Sequence, residues 1–232
     1  MKVLRWIMVL AFVLITGQSS QAQIDDNELH YYKAENHTVR LFKNIEGNNS
    51  QFGSICTAVL IEKLEGVSTL LTAGHCVDED ASYFVLSDRP YPVIKKYVST
   101  YSDLAIIFVD GNVEGKTPVA FSKRYLCIGD RLFNVAYPGI QTFKRTGEFQ
   151  GEDWYAGKID IVVIPGCSGS GIYDEDGGLV GIVVSYDKKK PISYYIPINE
   201  FTRFLHQLSV DGELMVITAD ENETGNQHIR SF

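Results

Sequence analysis

Ile164-Pro165-Gly166-Cys167-Ser168-Gly169-Ser170-Gly171 is the stretch on which the reading of this chain turns. Glycines on both sides of Ser168 permit a tight backbone, because glycine adopts left-handed dihedrals without a Cβ penalty. In such a turn consecutive N–H groups converge, and those of Gly166 and Ser168 are placed to form an oxyanion hole beside the Ser168 hydroxyl, a candidate nucleophile. Standing alone, the same letters also describe a Gly/Ser-rich hairpin turn.

Two further motifs lie upstream. Leu71-Thr72-Ala73-Gly74-His75-Cys76 runs an apolar strand into small residues and then a histidine, whose ordinary pKa near 6.5 suits a general base. Tyr101-Ser102-Asp103-Leu104-Ala105-Ile106-Ile107 sets a carboxylate immediately before residues that must be buried. Such an Asp can orient an imidazole, fix its tautomer and stabilise the imidazolium. Singly, His75 reads more often as a structural or surface residue, and Asp103 equally as a turn residue that opens a strand. Together they stand in the order His75, Asp103, Ser168, with gaps of 28 and 65 residues. That His–Asp–Ser order separates chymotrypsin-type sites from subtilisin and α/β-hydrolase orders, and the Gly-Cys-Ser-Gly register is not the hydrolase G-x-S-x-G elbow.

Around these motifs, short β-branched segments recur between Gly, Asp and Pro breaks. Examples are Thr57–Ile61, Ser68–Thr72, Tyr83–Leu86, Val93–Val98, Leu104–Val109, Arg131–Ala136, Ile159–Ile164, Leu179–Ser185 and Ser193–Ile196. Many short strands with turn signals between them predict an all-β fold, an antiparallel barrel or sandwich. One helix is expected, with Phe201, Phe204, Leu205 and Leu208 on one face and Asn199 as N-cap. The weakest internal boundary, Gly111–Pro118, divides an N-terminal extension and first lobe (23–113) from a second lobe with the helix (114–208). An acidic tail follows (209–232).

The 232 residues are 45% hydrophobic and 22% charged, which excludes wholesale disorder and a disulfide-dominated miniprotein. A net charge of −8 argues against nucleic-acid or anionic-membrane partners held by phosphate neutralisation. Lys2, Arg5 and the apolar run Trp6–Ile15 read as a signal peptide over residues 1–22, with Ser20 and Ala22 before a cut at Gln23. The run is too short to span a bilayer, so no membrane span remains after cleavage; the alternative is an uncleaved N-terminal anchor. The mature chain is therefore expected to be secreted or periplasmic. There, four cysteines (Cys56, Cys76, Cys127, Cys167) most often form two bridges, in one of three pairings. His30, His37, His206 and His228 show no metal-ligand spacing, so no metal or cofactor is implied. Sequons occur at Asn36, Asn48 and Asn222.

The motifs resemble those of trypsin/chymotrypsin-type serine proteases, closest in wording to bacterial glutamyl endopeptidases and Deg-type peptidases. Thr72–Cys76 is similar to TAGHC, Ser102–Ala105 to SDLA, and Pro165–Ser170 to PGxSGS. Gly129-Asp130 with Tyr137-Pro138-Gly139 is similar to the GD…GYPG segment, and Leu179–Ile182 and Tyr195–Pro197 to the strands after the nucleophile. The likeness covers roughly Ser54 to Leu208. It implies two six-stranded antiparallel β-barrels, a C-terminal helix, and an active site in the cleft between the barrels. It also implies a catalytic triad of His75, Asp103 and Ser168, an oxyanion hole at Gly166 and Ser168, and a protein or peptide substrate.

The resemblance further implies a Cys56–Cys76 bridge behind the histidine. A second, Cys127–Cys167, would pin the nucleophile turn; two buried free thiols are the alternative. Val162, six residues before Ser168, falls at the floor of the S1 pocket, with Ser185, Tyr186, Tyr194 and Tyr195 as wall residues. No acid stands at that register (Asp160 is out of it), and Ser193 lacks the histidine of a glutamate-preferring pocket, so an apolar or small P1 residue is expected. Cys167 replaces the Asp that pairs with a trypsin-like new N-terminus, so activity is expected not to need that salt bridge. A non-catalytic relative serving as a secreted binding module is the alternative reading, and the oligomeric state stays open.

Overall fold

The computed structural model describes residues 26–44, 54–139, 141–153, 155–212, 215–217 and 228–230. The leader and the sequons at Asn48 and Asn222 lie outside the described residues. Strands β1 (Thr38–Lys43), β2 (Ser54–Leu64), β3 (Val67–Ala73), β4 (Tyr83–Leu86), β5 (Pro90–Val98) and β6 (Leu104–Asp110) close a first barrel in the order β1-β2-β3-β6-β5-β4. Strands β7 (Arg131–Ala136), β8 (Phe143–Glu152), β9 (Gly157–Ile159), β10 (Gly171–Tyr173), β11 (Leu179–Tyr186) and β12 (Ser193–Pro197) close a second as β10-β11-β12-β9-β8-β7. Every pairing within them is antiparallel, and closure leaves neither sheet with a free edge. These are the two six-stranded barrels that the resemblance implies.

Alternation along the strands explains where the apolar residues go. Side chains of successive strand residues point to opposite faces. In β6, Ala105, Ile107 and Val109 fill the first barrel, while Leu104, Ile106 and Phe108 face a separate layer between the barrels. That double burial is why Leu104–Val109 is an unbroken apolar run. Strand β2 divides likewise: Cys56, Ala58 and Leu60 point inward and Val59 outward into the layer. From the second barrel, Val135, Leu179, Ile182 and Ile196 join the same layer, and the second barrel's own interior holds Leu132, Phe149, Ile159 and Tyr195.

The C-terminal helix α2 (Ile198–Val210) buries Phe201, Phe204, Leu205 and Leu208 against the inter-barrel layer. Its N-cap is Pro197, in extended geometry, and not the expected Asn199. The helix starts directly from the last residue of β12, so Asn199 already lies inside its first turn.

Other differences follow from local structure. The strand expected over Ile159–Ile164 stops at Ile159. Beyond one backbone bond from Asp160 N–H to Glu148 O (3.2 Å), the Asp160 carboxylate accepts the Glu148 N–H (2.5 Å) and the Ser193 hydroxyl donates to Ile161 O (2.6 Å), so side chains take over from the ladder there. Ile161 and Val163 remain buried between exposed neighbours, which preserves the two-residue alternation that reads as strand. An unforeseen helix α1 (Asp26–Glu35), which buries only Ala34 of its ten residues, precedes β1. It lies on the second barrel: His30 stacks on Phe133 (4.3 Å), Tyr31 meets Phe133 edge-on and hydrogen-bonds Thr146 Oγ1 (2.7 Å), and Arg131 donates to Asn27. In the tail, β13 (Met215–Ile217) and β14 (His228–Arg230) pair antiparallel as a two-stranded sheet. No helix among the described residues is long and apolar enough to cross a membrane.

Candidate active site

Strands β3 and β6 pair over their whole length, with Ala73 opposite Leu104. The residues just beyond that pair are Gly74-His75 on one chain segment and Asp103 on the other, so the sheet register itself sets the imidazole beside the carboxylate. A 3₁₀ turn (Gly74–Cys76) carries His75 out of β3. Asp103 Oδ2 lies 2.7 Å from His75 Nδ1, and Oδ1 accepts the His75 backbone N–H at 2.8 Å. Two contacts from one carboxylate fix both the ring and the turn that bears it. Asp103 is steadied in turn by the loop before it, where Ser99 Oγ accepts the N–H groups of Tyr101 and Ser102 and the Ser99 N–H reaches Leu104 O (2.9 Å).

The electrostatics follow from that contact. The hydrogen bond to Asp103 raises the His75 pKa above its ordinary value, against the opposing effect of burial. Burial pushes Asp103 upward, but the hydrogen bonds from the His75 ring and backbone and from the Gly74 N–H outweigh it and hold the carboxyl below its usual range. An ionised Asp103 can only accept, so neutral His75 carries its proton on Nδ1 and offers Nε2 as a base.

Ser168 arrives from the second barrel. Its turn is seated directly on β2 and β3. The Thr57 N–H donates to Ser168 O (2.8 Å), and the Thr57 hydroxyl donates to Gly166 O (3.0 Å). A Cβ on Gly169, which has φ +83°, would fall 2.0 Å from Thr57 O, 2.2 Å from Thr72 Oγ1 and 3.1 Å from Ala73 N. Only glycine permits that approach, and it brings Ser168 against the strand end that leads to His75. On the other side Gly166, at φ +96°, lies against Pro138. Within the turn, the Cys167 N–H bonds Ile164 O and the Ser170 N–H bonds Cys167 O (both 3.0 Å). The Gly169 N–H bonds Val183 O (2.8 Å), and Asn134 holds Ser170 Oγ (2.8 Å) and Gly171 O (2.9 Å). Among the described residues, the N–H groups of Gly166 and Ser168 donate to no protein acceptor.

The expected bridge between Cys56 and Cys76 is present (Cα–Cα 6.1 Å) and ties the His75 turn to β2. The expected Cys127–Cys167 bridge is not: both cysteines are free thiols, Cys127 exposed and Cys167 buried. Cys127 sits in a surface turn with its N–H on Asp130 Oδ2 (2.8 Å), whereas Cys167 packs inside the second barrel, where burial raises its pKa. Cys56, His75 and Cys76 place donor atoms within 4.8 Å of one another, but the two sulfurs are bonded to each other, which leaves no Cys₂His metal ligand set.

A cleft of about 510 Å³ opens beside Asp103, lined by Tyr101, Tyr155, Ser185, Tyr194 and Glu200 among others. Of the expected pocket residues, Ser185 and Tyr194 line it. Val162 is exposed outside it, and Tyr186 packs against the second-barrel core. Tyr195 is fully buried, and Ser193 is buried with its hydroxyl engaged, so neither faces this cleft. Thr57 went unnoticed in the sequence. Its one signal is parity: Thr57 shares the outward face of β2 with Val59, and a buried threonine among apolar neighbours needs polar partners.

A double antiparallel barrel, with a His–Asp pair at one barrel's edge and a glycine-flanked serine turn from the other, defines the chymotrypsin-like class. The family model of the trypsin-like peptidase domain matches residues 56–182, more than half of the chain, which thereby belongs to the trypsin-like peptidase family of serine peptidases. The chain is also similar to the HtrA-like serine proteases of several Staphylococcus aureus strains, at 22% identity over 78% of its length. It spans only 28% of those relatives. Among solved structures it resembles a serine endoprotease from Yersinia pestis (TM-score 0.66, 16% identity, covering 82% of this chain and 69% of that one). It also resembles the inactive form of Rv3671c from M. tuberculosis, a serine-to-alanine mutant (TM-score 0.65, 17% identity, 79% and 92%).

Proposed function

We propose that this chain is an exported serine endopeptidase that hydrolyses peptide bonds of proteins or peptides through an acyl-enzyme intermediate. His75, Asp103 and Ser168 form its triad, and the N–H groups of Gly166 and Ser168 its oxyanion hole. The observation that carries the reading is the seating of the Ser168 turn, through Gly169, against Thr72 and Ala73 at the strand end that leads to the Asp103-bound His75. In this reading Ser168 Oγ attacks the scissile carbonyl while His75 Nε2 takes its proton. Asp103 stabilises the resulting imidazolium, and the two turn amides receive the oxyanion. His75 then protonates the leaving amine, and water, activated by the same ring, releases the acyl group.

The reading of export rests on the charged-then-apolar start of the chain and on the Cys56–Cys76 bridge, which persists in oxidising compartments. The cleft beside Asp103 supports binding of the acyl side of an extended substrate. A fluorophosphonate probe is expected to label the wild-type protein at Ser168 and to leave Ser168→Ala unlabelled. A properly folded wild type that resists the probe would instead mark a protease-like binding module.

A further inference from the structure

We infer that Thr57 is a positioning residue for the oxyanion hole, acting through its side-chain hydroxyl from the first barrel; this rests on the serine-peptidase reading above. Thr57 is fully buried, and it makes four hydrogen bonds that join three separate segments. Its carbonyl accepts the Thr72 hydroxyl (2.8 Å), and its N–H donates to Ser168 O (2.8 Å). Its Oγ1 accepts the Tyr137 N–H (3.0 Å) and donates to Gly166 O (3.0 Å).

The direction of the last bond is forced. A hydroxyl has one hydrogen, a backbone N–H can only donate, and a carbonyl can only accept. With Tyr137 N–H filling a lone pair, the Oγ1 hydrogen has Gly166 O as its acceptor. The geometry is therefore a relay with a single orientation, running from Tyr137 N through Thr57 Oγ1 to the carbonyl of the very residue whose N–H faces the oxyanion.

The function of that relay follows from what is left over in the turn. Gly166 O, Cys167 N, Cys167 O, Ser168 O and Gly169 N each have a partner, while the N–H groups of Gly166 and Ser168 have none among the described residues. Gly166 is the weak point, because a glycine at φ +96° is held by no side chain of its own and has other basins open to it. The Thr57 hydroxyl pins its carbonyl and so fixes the plane that follows its N–H donor. Without that bond, Gly166 can turn and carry the donor out of line. The first barrel thus supplies the base and its carboxylate, and also the tether that keeps the second barrel's amides aimed.

The test uses the full chain, the fluorophosphonate probe and p-nitrophenyl acetate. Thr57→Val keeps the shape and removes the hydroxyl. It is expected to lower kcat and the phosphonylation rate roughly tenfold to a hundredfold, less than outright loss of an oxyanion donor, with KM within about twofold. Thr57→Ser restores the hydroxyl and is expected to recover both rates to within about threefold of wild type. The acidic limb of the pH–rate profile stays in place in both variants, because the His75–Asp103 contact is untouched. Should Thr57→Val not fold, Thr57→Ala takes its place in the same measurements. Wild-type rates in the hydroxyl-free variant, a Thr57→Ser protein as slow as Thr57→Val, or a rate loss that moves with the acidic limb would each overturn the inference. A wild type inert to the probe would overturn the serine-peptidase reading itself, whereas equal labelling of wild type and Thr57→Val would remove only the role of Thr57.

Discussion

The two barrels secure their shares of the site by different means. The first locks the His75 turn covalently, through Cys56–Cys76, and grips the ring and its backbone with one carboxylate. The second presents Ser168 on a turn held without a covalent staple, by hydrogen bonds and the packing of Cys167, which leaves a free buried thiol next to the serine. As the proposed base, His75 needs a defined tautomer and a fixed ring, which a rigid staple serves. In the proposed mechanism the Ser168 turn needs two amides left unpaired and aimed, which calls for pairing the other polar groups around them. The difference shows that a staple suits a side chain and a hydrogen-bond frame suits a backbone donor.

The largest way to break that comparison is to delete the proposed nucleophile. Ser168→Ala is expected to cut turnover of peptide or ester substrates roughly 10⁶-fold while the melting temperature holds; persistent activity in a purified sample would end the assignment. Asp103→Asn comes next, with kcat lowered roughly 10⁴-fold because the imidazole loses its tautomer and its counter-charge.

The staple itself is expected to matter for stability. Closing a 20-residue separation contributes about 3 kcal/mol in the chain-entropy model, so replacing both Cys56 and Cys76 by Ser should lower the melting temperature by roughly 10 °C. Cys127→Ser, by contrast, should leave melting and activity unchanged. A thiol reagent should modify Cys127 in the native protein and Cys167 only after unfolding; a Cys127–Cys167 bridge in the purified protein would erase the contrast between the barrels.

A smaller effect concerns pH. Because contact with Asp103 raises the His75 pKa, the ring protonates at higher pH than an ordinary histidine and ceases to be a base there. The acidic limb of kcat/KM is therefore expected above the usual histidine value near 6.5, and to move toward it in Asp103→Asn. The linked effects on stability differ between the partners. The raised His75 pKa favours the folded state fully below the unfolded histidine value, and that benefit is lost as pH rises through the folded one. The lowered Asp103 pKa favours it above the unfolded carboxyl value, and that benefit is lost as pH falls through the folded one.

The candidate site was legible because it sits in contiguous letters: Gly74-His75-Cys76, Ser102-Asp103-Leu104 and Gly166-Cys167-Ser168-Gly169 each put a side chain of the proposed triad beside residues whose backbone or burial role is distinctive. The strands were legible wherever alternation or two-sided burial wrote an apolar run, as in Leu104–Val109. Helix α1 was not, because nine of its ten residues escape full burial and its hold on the second barrel runs through His30, Tyr31 and Asn27, contacts without a periodic signature. Strand β8 was missed for a related reason: Lys144, Glu148 and Gln150 give it a largely solvated face, Arg145 adds an exposed charge on the other, and Gly147 and Gly151 read as breaks. The Cys127–Cys167 pairing failed because a count of cysteines carries no information on depth; one thiol lies at the surface and the other in a core. Thr57 was invisible for the opposite reason, since its importance lies entirely in partners 80 and 109 positions away.

Strand β6 has a consequence for how the molecule comes apart. Its alternate side chains belong to two different interiors, so neither can melt while the other survives: loosening the first barrel withdraws Leu104, Ile106 and Phe108 from the layer that supports the second. Heating should thus give a single calorimetric transition, and evolution cannot trade one half of this molecule as an independent cassette without rewriting that one shared ribbon.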